Sequence, residues 1–187
     1  MTEYSQPNPI LQEISYTTVV DLLRMTLLVY NYDKDLKLIN ADDTVEAFVD
    51  GLKNKGEFEQ LHLNETRKKV LEDIAYNVPS GKLVKFIQDE TTDVQVGITI
   101  CESKRRVCVV FRGSESKSDW YYDLLIMKHK LTDKIGVHTG FYKQLTENNV
   151  YEQIVSEIKN LLDKHPGFAI YITGHSLGGA LSTLCGY

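Results

Sequence analysis

The pattern of hydrophobic and polar positions changes period twice along the 187-residue chain. Up to about residue 80 the period is helical. The run YTTVVDLLRMTLLVY from Tyr16 spaces its apolar side chains as one buried helix over residues 17–31. Residues 41–53 and 64–76 repeat that period, with Asp42 or Asp43 capping the first stretch and Asn64 the second. The texture then shifts to alternation and β-branched residues. KLVKFIQD (82–89), DVQVGITIC (93–101) and RVCVVF (106–111) read as strands, and their short links predict antiparallel neighbours. DLLIMKHKL (123–131) is a further candidate strand. From Gly140 to Lys164 the period is helical again. Phe141, Leu145, Val150, Ile154, Ile158 and Leu161 fall near one face of a single long helix, which His165-Pro166-Gly167 ends. FAIYIT (168–173) is a continuous apolar run, as in a strand buried on both faces. The chain turns between Gly174 and Gly179, and a helix is expected from Ala180 onward. Helices, then strands, then helix–strand–helix predict an α/β unit with one central sheet: a helical lead-in over 1–80 and a sheet core over 81–187.

Composition narrows the function without naming it. A chain of this length suits one domain, burying about 70 % of the surface its unfolded form exposes. The net charge of −5 predicts no nucleic-acid partner. The basic cluster Lys104-Arg105-Arg106 sits in an expected hairpin turn and reads as a solvated turn, with too few charges to track phosphates. The start MTEYSQPNPI lacks a basic-then-apolar leader, and no apolar run reaches the ~18 residues of a membrane span, so an intracellular protein without a transmembrane segment is expected. Cys101, Cys108 and Cys185 are too sparse for a disulfide framework and read as free buried thiols. Asn64-Glu65-Thr66 fits a glycosylation acceptor, which matters only on a secretory route. No ligand-spaced metal cluster and no phosphate loop occurs in the sequence, so neither metal nor cofactor is expected.

One short stretch carries chemistry. Gly174-His175-Ser176-Leu177-Gly178 is a G-x-S-x-G between an expected strand and an expected helix. A nucleophile on so sharp a turn sits in a strained backbone, where side chains two residues either side would collide with it. Glycine at 174 and 178 removes those collisions, and Gly179 would let the helix pack close to the strand. The helix N-terminus favours negative charge beside Ser176, and the Leu177 amide can donate to an oxyanion. Upstream, Val109-Val110-Phe111-Arg112-Gly113-Ser114 is a strand running into a glycine. It is either a plain turn or the place of a second oxyanion donor, the Ser114 amide. Lys117, Ser118, Asp119, Trp120, Tyr121, Tyr122 and Asp123 set three aromatics between charges, which suits a pocket seal, an interfacial anchor, or a surface helix that tucks Trp120 into the core.

Taken in order, VVFRGSESKSDWYYDL, VHTGFY and ITGHSLGGALSTL resemble the class 3, or fungal lipase-like, family of the α/β-hydrolase fold. The resemblance covers Val109 to Tyr187, with the first hundred residues similar only in outline. It implies a central mixed sheet with helices on both faces, Ser176 as acyl-accepting nucleophile, and Ser114 and Leu177 as the oxyanion hole. Gly174, His175, Gly178 and Gly179 would complete the nucleophile elbow, and residues 117–123 would form a short lid with Trp120 towards the acyl groove. His138 and His175 would be structural, and Arg112 would pair with a lid carboxylate, Asp119 or Asp123, or form an ordinary salt bridge. In this fold the order is Ser, then Asp or Glu, then His. LGGALSTLCGY after Ser176 holds neither, so the expectation is the N-terminal part of an incomplete lipase-type domain, its C-terminal strands missing. Two readings follow: a serine lipase or carboxylic ester hydrolase acting on acylglycerol-type esters at an oil–water or membrane interface, or a catalytically inactive remnant that binds lipid. Acyl transfer or peptide cleavage on the same fold is a third.

Overall fold

The computed structural model describes residues 14–31, 44–60, 64–78, 81–113 and 128–187. The chain opens with three helices, α1 (Tyr16–Asn31), α2 (Val45–Lys55) and α3 (Glu65–Asn77). Three strands follow, β1 (Gly81–Asp89), β2 (Val94–Cys101) and β3 (Arg106–Phe111), and then a small hairpin of β4 (Lys128–Lys130) and β5 (Gly136–His138). Helices α4 (Thr139–Thr146) and α5 (Val150–Lys164), strand β6 (Ala169–Gly174) and helix α6 (Leu177–Cys185) complete it.

The main sheet has the order β1-β2-β3-β6. β1, β2 and β3 pair antiparallel, and β6 joins β3 in parallel with Arg106 beside Ala169 and Phe111 beside Gly174. Alternation along β3 divides the core. Cys108 and Val110 pack with Met25, Leu28 and Val29 of α1, Val49 of α2 and Leu71 and Ile74 of α3. Val107, Val109 and Phe111 face the other way, onto Leu145 of α4, Ile154 and Leu161 of α5 and Leu181 of α6. The result is a mixed sheet between two helical layers: the one central sheet follows from the sequence pattern, and the helices on both faces match what the resemblance implied.

α1 runs beside β3, fastened at both ends. Arg106, the first residue of β3, is 4 % exposed and pairs at 2.8 Å with Asp21, itself 1 % exposed. Asp21 also accepts from Arg24, whose Nε bonds Asp73 of α3 at 2.8 Å. Beyond the last residue of β3, the Gly113 amide bonds Tyr30. Between them Gly97 lets α1 close on the sheet, since a Cβ there would overlap Val29.

Several expectations change. The cap of α2 is Thr44, whose hydroxyl accepts from the Ala47 amide at 3.0 Å; Asp42 and Asp43 lie outside the described residues. Asn64 caps α3 as expected, accepting from the Arg67 amide at 2.9 Å. The long helix over 140–164 is two helices. Asn148 and Asn149 take left-handed φ of 53° and 58°, a conformation asparagine tolerates better than most residues, and Asn148 bonds Asp89 at 2.6 Å. Arg106 is no solvated turn residue but a buried ion-pair partner, leaving Lys104 and Arg105 exposed in the turn. Among the described residues β6 has a partner on one side only and is not buried on both faces: Ala169 and Ile170 are exposed. The candidate strand 123–131 is a strand at Lys128–Lys130, its first five residues lying outside the described ones, and β5 had no separate sequence signal. The three thiols are buried and form no disulfide among the described residues, and burial pushes Cys108 and Cys185 up to about 11.

Candidate active site

β6 and α6 meet with Ser176 between them. Ser176 has φ 56° and ψ −123°, a left-handed conformation costly for a residue with a Cβ. Two glycines make the turn possible. A Cβ on Gly174 would strike the Gly178 carbonyl carbon and oxygen and stand 2.8 Å from the Phe111 carbonyl. One on Gly178 would strike that same Phe111 oxygen and stand 2.9 Å from the Phe111 carbonyl carbon. Gly179 is different. Its nearest neighbour would be the Gly174 oxygen at 3.5 Å, an ordinary contact, so close packing does not require glycine there. The helix also starts earlier than expected, at Leu177 rather than Ala180. The Gly178 amide bonds the His175 carbonyl at 3.0 Å and the Gly179 amide bonds the Ser176 carbonyl at 2.9 Å. Among the described residues no acceptor takes the Leu177 amide, and none bonds the exposed Ser176 hydroxyl. A free amide beside a free hydroxyl at a helix N-terminus favours negative charge on an oxygen attached to Ser176.

The end of β3 lies against this turn. A Cβ on Gly113 would overlap the Tyr30 hydroxyl and stand 2.6 Å from the His175 carbonyl and 3.4 Å from Ser176 Cβ. Arg112 is held by Gln95, amide to carbonyl at 2.9 Å and Nη1 to Oε1 at 2.6 Å. Ser114 and the lid candidates Lys117, Ser118, Asp119, Trp120, Tyr121, Tyr122 and Asp123 lie outside the described residues.

The described histidines are engaged elsewhere. His138 Nδ1 caps α4 by accepting from the Gly140 amide at 3.0 Å, and its ring packs on Phe141. His129 stacks on Tyr142, and His165 packs at a tilt against Phe168. His175 turns its ring towards Tyr30, with Nδ1 3.3 Å from the tyrosine hydroxyl. Tyr30 and Gln95 are the site neighbours that sequence reasoning missed. Each sits on an element read as structural, and Tyr30 and His175 are 145 positions apart. An apolar recess of about 290 Å³, lined by Leu131, Tyr142, Leu145, Thr146, Tyr151, Leu184 and Tyr187, opens at the far end of α6, away from Ser176.

Known proteins resemble this chain in sequence and in fold. The model of the family described as Lipase (class 3) matches residues 108–187, which hold the last four residues of β3, the elbow and α6. Residues 108–187 are thus similar to the class 3 lipase family. A lipase from Rhizomucor miehei is 30 % identical over 106 residues, covering 56 % of this chain and 29 % of the relative. A secreted alkaline triacylglycerol lipase from Penicillium cyclopium is 27 % identical over 139 residues, covering 68 % of this chain and 47 % of the relative. The chain thus spans less than half the length of these curated relatives. Among solved structures, a triacylglycerol lipase from Penicillium expansum matches with a TM-score of 0.51 at 27 % identity, over 56 % of this chain and 43 % of that one. The triacylglyceride lipase of Rhizomucor miehei matches with a TM-score of 0.58 at 21 % identity, over 91 % of this chain and 54 % of that one. At that identity the likeness is one of fold, and it extends the class 3 lipase architecture, an α/β-hydrolase, through most of the helical lead-in. No helix among the described residues is long and apolar enough to cross a membrane.

Proposed function

We propose that this chain carries the nucleophile of a serine lipase, a carboxylic ester hydrolase acting on acylglycerol-type esters. The observation that carries the reading is the backbone of Ser176, held at φ 56° and ψ −123° between two glycines at the first turn of α6. Ser176 Oγ attacks the ester carbonyl while its proton passes to a histidine base. The carbonyl π electrons move onto oxygen, where the amides of Leu177 and Ser114 donate to it. Collapse of the tetrahedral intermediate breaks the bond to the alcohol, which leaves with the proton from the base. Water then attacks the acyl-enzyme by the same route and releases the fatty acid. Removing one oxyanion donor from such a site typically costs about 10²–10³ in kcat. Each described histidine has another engagement, so in this reading the base and its carboxylate belong to polypeptide other than the described residues. The substrate class follows relatives named triacylglycerol lipase and mono- and diacylglycerol lipase, with Lys117 to Asp123 as the segment that meets the lipid surface.

The test compares fatty-acid release by the full-length protein from an emulsified triacylglycerol and from a dissolved short-chain ester, with Ser176→Ala as control. A lipase releases acid faster from the emulsion, and Ser176→Ala abolishes both rates. Binding to the emulsion without release from either substrate would establish the lipid-binding remnant instead.

A further inference from the structure

Tyr30, at the C-terminal end of α1, joins the two segments that flank the reacting position. Its hydroxyl accepts from the Gly113 amide at 2.8 Å and lies 3.3 Å from His175 Nδ1 and 3.4 Å from the His175 carbonyl. A phenol carries one proton, so it serves one His175 acceptor at a time while its lone pair holds Gly113. The ring is itself fixed, edge-on to His175 with centroids 6.0 Å apart and with the Arg112 guanidinium 5.9 Å from its centroid. Arg112 is in turn fastened to Gln95. Among the described residues Tyr30 is the one side chain that hydrogen-bonds both the end of β3 and the elbow.

We propose that Tyr30 is a positioning residue for acyl transfer, its hydroxyl locking the Gly113 peptide against His175-Ser176 so that Ser176 Oγ and the Leu177 amide hold their places at the start of α6. The proposal deepens the lipase reading and rests on it. The Leu177 amide comes from the other side of the contact. Gly113 has no room for a Cβ because the tyrosine hydroxyl and the His175 carbonyl occupy that space. Loosening the contact lets the elbow, and with it Ser176 and the Leu177 amide, shift against the end of β3. The loss then falls on the transition state rather than on substrate binding.

The experiment uses Tyr30→Phe in the full-length protein, which keeps the ring and removes the hydroxyl, with two readouts. The first is hydrogen exchange of the Gly113 amide, expected to quicken about fivefold on losing its acceptor. The second is the rate constant for Ser176 phosphonylation by a fluorophosphonate, expected to fall about tenfold, with kcat for ester hydrolysis lowered alike and KM unchanged. If the variant does not fold, 3-fluorotyrosine at position 30 weakens the acceptor without removing an atom and should move both readouts the same way, by less. Unchanged Gly113 exchange, or unchanged phosphonylation alongside faster exchange, overturns the positioning role. A folded wild-type protein that takes no phosphonate at all overturns the lipase reading instead, and Gly113 exchange still decides whether Tyr30 holds the contact.

Discussion

Gly178 and Gly179 are adjacent, yet the structure gives alanine opposite effects at the two positions. At 178 the new Cβ strikes the carbonyl oxygen of Phe111 and stands 2.9 Å from its carbon and 3.1 Å from the Arg112 carbonyl carbon. These are backbone atoms of a fully buried strand and the residue after it, so no side-chain rotation relieves them. Overpacking costs about 1–3 kcal/mol, and a rigid obstacle argues for the upper end, about 3 kcal/mol. For a chain of this size that lowers Tm by about 6–12 °C, at about 2–4 °C per kcal/mol. At 179 the Cβ meets only the Gly174 oxygen at an ordinary 3.5 Å, and the residue is helical. Alanine there gains about 0.5–1 kcal/mol of helix propensity and raises Tm by about 1–4 °C. Thermal denaturation followed by circular dichroism reads both. Shifts of the same sign, or a Gly178→Ala protein within 2 °C of wild type (about the smallest shift 1 kcal/mol gives), would refute the steric reasoning.

Other outcomes follow from the same structure. Ser176→Gly removes the Cβ from a conformation that costs about 1–3 kcal/mol, so against glycine's looser unfolded chain it should stabilise the fold by about 1 kcal/mol in urea denaturation. Asp21→Ala leaves the Arg106 guanidinium buried without its partner and should destabilise by about 3–5 kcal/mol, read from the urea midpoint. Hydrogen bonds from Asn148 and from the Thr91 and Thr92 amides hold Asp89 below the usual carboxylate range. Its contribution is therefore complete above the ordinary carboxylate value and is lost as pH falls through the lowered one. Asp89→Asn should flatten that part of the acid limb in urea midpoints measured from pH 7 down to pH 3.

Much of this architecture was legible because single residues carry it locally. The alternation in Val107 to Phe111 states which side chains face which helical layer, and β3 obeys it. Ser176 was legible because its backbone requires glycines at fixed offsets, and Gly174 and Gly178 meet the contacts that demand them. What escaped is held by partners far apart in sequence. Arg106 reads as one of three exposed basic residues until Asp21, 85 positions away, is found beside it. Tyr30 reads as the end of a hydrophobic helix until Gly113 is found on its hydroxyl. The break in the helix over 140–164 did have a local signal, Asn148-Asn149, but the apolar period runs through it undisturbed and masks the two left-handed residues. Gly179 misleads in the opposite direction: its place in the motif suggests a contact that the distances do not contain.

The central claim is that Ser176 is an activated nucleophile, and intact mass before and after treatment with a fluorophosphonate tests it most directly. The account predicts one phosphonyl adduct on the folded full-length protein, mapped to Ser176 and absent from Ser176→Ala. A folded protein that takes no adduct, or takes the same adduct after Ser176→Ala, would contradict it.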